Sequence, residues 1–202
     1  MGAGASRRDA KQATRLALVR AAIELFTLRG FDGPSLDAIC ERAGYTRGAF
    51  YVHFKDRDEL IAAAMGHALE RLLDDVIADG DTGDDIERTV IRFVDYALRP
   101  LPKTSELIGP LFHQTLEACR RSEEVRKMFV GVLADAIERV SVAARAGQER
   151  GGVRSDVDAE EVARVLVILA LGARVAVEVE LPLDVARTRD AALRLLRRPE
   201  DG

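Results

Sequence analysis

Helix breakers are scarce in this chain and fall in clusters, which leaves little room for any fold but a helical one. Proline occurs only six times in 202 residues, at positions 34, 100, 102, 110, 182 and 199. Glycine likewise gathers at 30–33, 80–83 and 151–152. Between these points Ala, Leu, Arg and Glu recur at helical spacing, with almost no strand-like alternation. The expectation is an all-α protein of about nine helices.

Composition narrows the class further. Hydrophobic residues make up 48% and charged residues 32% of the chain, enough apolar material for a sizeable core and an ordered, globular composition. Thirty basic and 34 acidic side chains give a net charge of only −4, which excludes neither a nucleic-acid partner nor an acidic one. Two cysteines, Cys40 and Cys119, are too few for a disulfide framework or a four-thiolate zinc site. The opening MGAGASRRDAKQ carries no apolar h-region. The most apolar internal run, residues 165–173, falls short of the roughly 20 residues a bilayer demands. A cytoplasmic protein with no membrane partner is expected.

The first helix is expected from about Arg7 to Arg29, with Leu16, Val19, Ile23 and Phe26 on one buried face. Gly30 stops it. A short second helix follows Pro34, capped by Ser35, with Leu36, Ile39, Cys40 and Ala43 on one face. Gly44 ends that helix, and Thr46 is placed to cap a third over residues 47–53. Asp56 with Glu59 has the spacing of a capping box that opens a fourth. Short helices hinged at Gly44 describe a helix-turn-helix unit.

Longer helices are expected beyond it, at roughly 57–78, 85–99, 104–119, 123–149, 159–179 and 184–197. The fifth of these, opened by Asp158 with Glu161, is apolar nearly all round. Val162, Leu166, Leu169, Ala173 and Ala176 form one of its faces; Val165, Ile168, Gly172, Val175 and Val179 form the other. Such a helix needs cover on both sides, and a second subunit is a natural source of one cover.

Charge is unevenly spread. Residues 1–55 hold nine basic and five acidic side chains, a local excess of +4 that leaves −8 for the remainder. A basic head and an acidic body fit a head that meets phosphates, although an excess of four also fits an ordinary solvated helix surface.

The run Ser35-Leu-Asp-Ala-Ile-Cys-Glu-Arg-Ala-Gly-Tyr-Thr-Arg-Gly-Ala-Phe-Tyr-Val-His-Phe54, extended by Lys55-Asp-Arg-Asp-Glu-Leu60, decides between them. It closely resembles the DNA-binding signature of the TetR family of bacterial transcriptional repressors, especially its AcrR-like members. The specific resemblance covers about residues 11–64; beyond it only helix lengths, order and total size agree. The implied architecture is a helix-turn-helix DNA-binding domain over 1–64, its motif at 35–54, and a ligand-binding and dimerisation domain over 65–202.

Physical chemistry gives several of these residues a role. Thr46 and Arg47 stand at the N-terminal end of the recognition helix, where side chains reach major-groove base edges. Arg pairs bidentately with guanine, so Arg47 is the leading candidate for direct readout. Gly48 lets the helix backbone approach DNA closely. Ser35 offers a hydroxyl and a helix N-terminus to a phosphate. The resemblance adds Tyr45, Tyr51 and His53 as backbone or base contacts, and Arg57 where the family usually places a phosphate-binding Lys. Lys55 is an additional candidate. Val52 stands where many relatives carry Trp or Tyr, and Tyr45 where a small aliphatic is common. Phe50 and Phe54 read as core, and Arg42 as a solvated helix charge.

For the body, the resemblance implies a small-molecule pocket and a dimer interface on the last two long helices. Phe93, Tyr96, Phe112, His113, Leu116 and Phe129, with Leu107, Met128 and Val132 nearby, are the candidates for an apolar lining. For any single one of them, ordinary core packing is the better reading. Val162, Leu166, Leu169, Ala173, Ala176 and Leu195 are the candidates for the interface. His113 and Glu117 share a helix face but make a poor metal site without further ligands, and a redox role for Cys119 has little behind it. No cofactor is expected.

The chain lacks a Gly-rich phosphate loop, G-x-S-x-G and H-E-x-x-H, which argues against an enzyme. The resemblance implies a homodimeric repressor that binds a double-stranded, pseudo-palindromic operator and is released by a small apolar or amphipathic effector. The alternatives are an activator with the same head, or a helical-bundle interaction protein that binds no DNA.

Overall fold

The computed structural model describes residues 3–77, 86–98 and 112–197. Among these the chain is all-helical, with no strand: α1 (Ala3–Arg29), α2 (Leu36–Ala43), α3 (Arg47–His53), α4 (Arg57–Val76), α5 (Ile86–Ala97), α6 (Phe112–Arg121), α7 (Glu123–Glu149), α8 (Ala159–Glu178) and α9 (Val185–Leu196). The all-α expectation holds. Leu107, the 78–85 loop and the Pro100–Pro102 corner lie outside the described residues.

Capping side chains explain where the helices begin. Ser35 Oγ accepts from the Ala38 amide at 3.1 Å, and Thr46 Oγ1 from Ala49 at 3.3 Å. Asp56 Oδ1 accepts from Glu59 N at 3.0 Å, as a capping box requires. The return bond differs, since Glu59 Oε2 accepts from the Lys55 amide at 2.6 Å rather than from that of Asp56. Asp158 likewise caps Glu160 N at 2.8 Å, while Glu161 turns to Arg164 instead of closing a box.

The described residues group into two compact units, one within 1–69 and 102–129, the other within 70–101 and 130–202. The first unit packs Leu18, Val19, Ala22 and Phe26 of α1 against Ile39, Cys40, Phe50, Phe54 and Leu60, with Ala118 and Val125 completing its core. Phe50 and Phe54 are 0% and 1% exposed and stack at 5.5 Å, so the third helix is anchored by aromatic burial as expected. Leu16 is the exception to the expected α1 face: it is exposed, and Leu18 takes the inward position.

In the second unit, Leu73 and Val76 meet Val90, Ala136, Val140, Ala144, Val162, Ala163, Val167 and Leu196. Helix α8 buries one narrow stripe there. Val165, Ile168, Leu169, Val175 and Val179 stay exposed, so the two-sided apolar character read from the sequence leaves one side uncovered within a single chain.

Candidate nucleic-acid interface

The α2–α3 corner is built by a residue that tolerates left-handed geometry. Gly44 has φ +76°, its amide donates to Glu41 O at 3.0 Å, and Tyr45 N donates to Cys40 O at 2.9 Å. These bonds satisfy the last carbonyls of α2 and swing the chain directly into the Thr46 cap. Two turns of α3 then separate an inward face from an outward one. Phe50 points into the core, whereas Arg47, Gly48, Tyr51 and Val52 are exposed, Tyr51 to 58% and Val52 to 63%. Two large exposed side chains on so short a helix form a surface that packing inside the chain does not explain.

Gly48 sharpens that reading. A Cβ there meets only Thr46 Oγ1, at an ordinary 3.6 Å, and no positive φ is involved. The fold does not demand glycine at 48, whereas a partner lying close against the backbone does.

Arg47 Nε lies 3.1 Å from Asp37 Oδ1 on the first turn of α2, and both side chains are largely in solvent. Ser35 and Thr46 keep exposed hydroxyls whose protons remain free to donate, because each oxygen acts as acceptor in its cap. Tyr45 is exposed at the corner, and Lys55 extends into solvent 3.4 Å from Asp56. His53 is half-buried, and burial first, then the charges of Lys11 and Arg15, hold its pKa below the usual histidine value. Arg15 itself lies over the Phe54 ring at 5.0 Å. Arg42 is an exposed helix charge paired with Glu24 at 2.6 Å.

Arg57 departs from the position the sequence suggests. Its Nη2 donates to Phe31 O at 2.5 Å and Pro34 O at 2.7 Å, and its guanidinium lies 5.6 Å from the Phe26 ring centroid. Burial pulls its pKa down despite the opposing charges of Asp32 and Asp58. These contacts engage the guanidinium inside the chain and leave the side chain half-buried.

Both thiols are pushed up by burial. Asp37 adds to the effect on Cys40, so neither cysteine has the environment that makes a reactive thiolate. Glu117 bonds to Arg120 at 2.8 Å, which takes up the carboxylate of the His113–Glu117 pair. Among the described residues no cluster of three or more His, Cys, Asp or Glu side chains suits a metal, and no helix is long and apolar enough to cross a membrane.

The residues expected to line a pocket fall in both units. Phe112, His113, Leu116 and Phe129 belong to the first unit, where the Phe112 and Phe129 rings are 6.5 Å apart, while Phe93 and Tyr96 belong to the second. The second unit holds a cavity of about 520 Å³ between α5, α8 and α9. Phe93 is the one residue of the expected set on its wall. Leu166, Leu169, Ala173, Ala176 and Leu195, expected at a dimer interface, line it too. Val162, from that same expected interface, is 5% exposed inside the chain's own core and is not available to a partner. The sequence did carry a signal for this cavity. Gly172, Ala173, Ala176, Ala191 and Ala192 withhold side-chain volume where α8 faces α9.

Residues 18–64 match the family model of bacterial regulatory proteins, tetR family. The chain is 29% identical over 179 residues to the HTH-type transcriptional regulator UidR of Escherichia coli (strain K12), spanning 87% of this chain and 86% of UidR. It is 27% identical over 161 residues to the regulator TtgR of Pseudomonas putida, spanning 77% and 76%. The crystal structure of reduced E. coli NemR shares the fold with a TM-score of 0.73 at 19% identity, covering 94% of this chain and 99% of NemR.

Proposed function

Because the chain belongs to the TetR family of transcriptional regulators, a family of non-enzymatic DNA-binding proteins, we propose that it is a ligand-responsive repressor that binds a pseudo-palindromic operator as a homodimer. It acts in the bacterial cytoplasm, where its operator lies. The observation that carries this reading is the outward face of α3. Arg47, Tyr51 and Val52 stand exposed around a Gly48 that nothing in the fold requires.

In this reading α3 enters the major groove, Arg47 reads a guanine edge, and Val52 offers an apolar contact of the kind a thymine methyl accepts. Ser35, Thr46, Tyr45, Tyr51, His53 and Lys55 hold the phosphates on either side, fixing register rather than sequence. Two copies joined through α8 and α9 present their recognition helices to successive major grooves, roughly 34–36 Å apart.

The effector is a small apolar or amphipathic molecule, and the wall of the 520 Å³ cavity supports a neutral one. Among the described residues no charged side chain lines it, so an ionised ligand loses its hydration without compensation. Release of DNA follows only if that molecule binds the DNA-free arrangement better than the DNA-bound one.

Fluorescence anisotropy on the DNA upstream of the protein's own gene, beside a scrambled duplex and across a salt series, tests the DNA-binding core of this reading. Tight, salt-dependent binding confined to the upstream duplex is expected. Equal weak binding to both duplexes means that the operator lies elsewhere or that the helix-turn-helix has lost its specific readout.

A further inference from the structure

The segment Phe31–Pro34 ends α1 and delivers the chain into the Ser35 cap of α2, so its placement sets where that cap and the first amides of α2 lie. Pro34 has no N–H and is fully buried, and Phe31 packs edge-on against Phe26 with ring centroids 5.4 Å apart. Neither side chain fixes the carbonyls of the turn. Arg57 does, because one nitrogen bonds both Phe31 O and Pro34 O while the guanidinium rests over the Phe26 ring. The grip spans from the first residue of α4 to the residue immediately before the α2 cap.

A second arginine holds the same turn less firmly. Arg121, the last residue of α6, pairs with Asp32 at 3.1 Å, but the two side chains are 45% and 75% exposed. An exposed pair of that kind contributes little, because solvent screens both charges. Hydrogen bonds from a half-buried cation to two carbonyls, with a ring beneath, outweigh it. Arg57 is therefore the member that decides where the turn sits.

We propose that Arg57 is a positioning residue for DNA binding, acting through the Phe31 and Pro34 carbonyls to place Ser35 and the N-terminus of α2, and that it neutralises no phosphate itself. The inference rests on the DNA-binding reading above and adds to it a division of labour. Lys55, exposed two residues earlier, contributes charge at this end of α4, and Arg57 contributes geometry.

Salt dependence separates the two roles, because each phosphate neutralised adds about 0.9 to the slope of log K against log salt. Anisotropy titrations from roughly 50 to 200 mM salt use a duplex recovered from a random library by binding selection with the wild-type chain. Arg57→Gln is expected to weaken binding by about tenfold or more while leaving the slope unchanged. A slope shallower by about 0.9 overturns the proposal and makes Arg57 a phosphate ligand.

Arg57→Lys keeps the charge but loses the planar fork and the ring stacking. It is expected to weaken binding with an unchanged slope, and full affinity in this variant overturns the proposal. Because it preserves the cation, it also serves if the Gln variant does not fold, which thermal melting shows directly.

A double-mutant cycle reads the route of action. If Arg57 works by placing Ser35, then Ser35→Ala costs about threefold less affinity in the Arg57→Gln background than in the wild type. Equal costs in both backgrounds overturn the coupling. A wild-type chain that enriches no duplex in the selection overturns the DNA-binding reading and this inference together, and so is distinguishable from every outcome above.

Discussion

Arg47 Nε and Asp37 Oδ1 are 3.1 Å apart, tying the first turn of the recognition helix to the first turn of α2. Both partners are more than half exposed, so the tie contributes at most about 1 kcal/mol and yields to a guanine edge, whose bidentate pairing contributes about 1–3 kcal/mol of discrimination. Arg47→Ala is therefore expected to cost about tenfold to a hundredfold on a selected duplex and far less on a random one. Competition titrations with the two duplexes check this; equal losses on both rule out direct readout. Asp37→Asn, which frees Arg47 and removes a carboxylate from the face, should tighten binding to the random duplex.

The depressed pKa of His53 gives the interface a pH dependence with a definite sign. Burial and the neighbouring Lys11 and Arg15 disfavour its protonated form in the free protein. The unfolded chain takes up that proton first as pH falls below 6.5, so the His53 contribution to stability is present above this value and is lost as pH falls through the depressed pKa. A phosphate close to the ring acts the opposite way and raises the pKa in the complex. Affinity for DNA is then expected to rise as pH is lowered from 8 toward 6, with proton uptake on binding. His53→Gln should flatten that rise, and a wild-type affinity that does not increase over this range removes His53 from the phosphate contacts.

The head was legible in the sequence because local rules agree there. Ser35, Gly44 and Thr46 each fix a helix end by a mechanism confined to a few neighbouring residues, and the structure repeats it bond for bond. Arg57 was not legible, since the residue type fits a phosphate contact as well as an internal clamp. Only the carbonyls of a turn 23 and 26 residues away in sequence reveal the clamp. The cavity of the second unit was hidden for a related reason: a cavity arises where side chains are missing, so alanines and a glycine on α8 and α9 marked it better than an aromatic such as Phe93 did. Leu16 and Val162 show the limit of helical periodicity, which defines a face to within one neighbouring position and not which position turns inward.

Two glycines of the helix-turn-helix separate folding from function. Gly44 sits at φ +76° in open space, so Gly44→Ala is expected to cost about 1–2 kcal/mol of stability through backbone strain alone, and Gly44→Asn less. Gly48 sits inside a helix with room for a methyl group, so Gly48→Ala is expected to stabilise the fold by about 0.5–1 kcal/mol. The same change should weaken DNA binding by holding the helix away from the groove. Urea unfolding and anisotropy on the two variants check this pair, and a Gly48→Ala protein that binds DNA as tightly as the wild type denies close approach at that position.

The uncovered face of α8 predicts what disrupts assembly without unfolding the chain. Ile168 is 66% exposed and Val162 only 5%, although both lie on the same helix and both are aliphatic. Covering a fully exposed aliphatic side chain contributes about 1.5–3 kcal/mol, so a stripe of several supplies a dimer interface, while a charge within it leaves an unpaired, desolvated group. Ile168→Asp is expected to keep full helicity and unfolding cooperativity yet give a monomeric mass by light scattering at micromolar concentration. Operator affinity should collapse toward that of a random duplex, because one half-site no longer assists the other. Val162→Asp is expected to unfold the second unit instead, since its side chain has no route to water. A wild-type chain that is itself monomeric at micromolar concentration removes the dimer, and with it the two-groove geometry, while leaving the single-head contacts of Arg47 and Tyr51 to be judged by the DNA titrations.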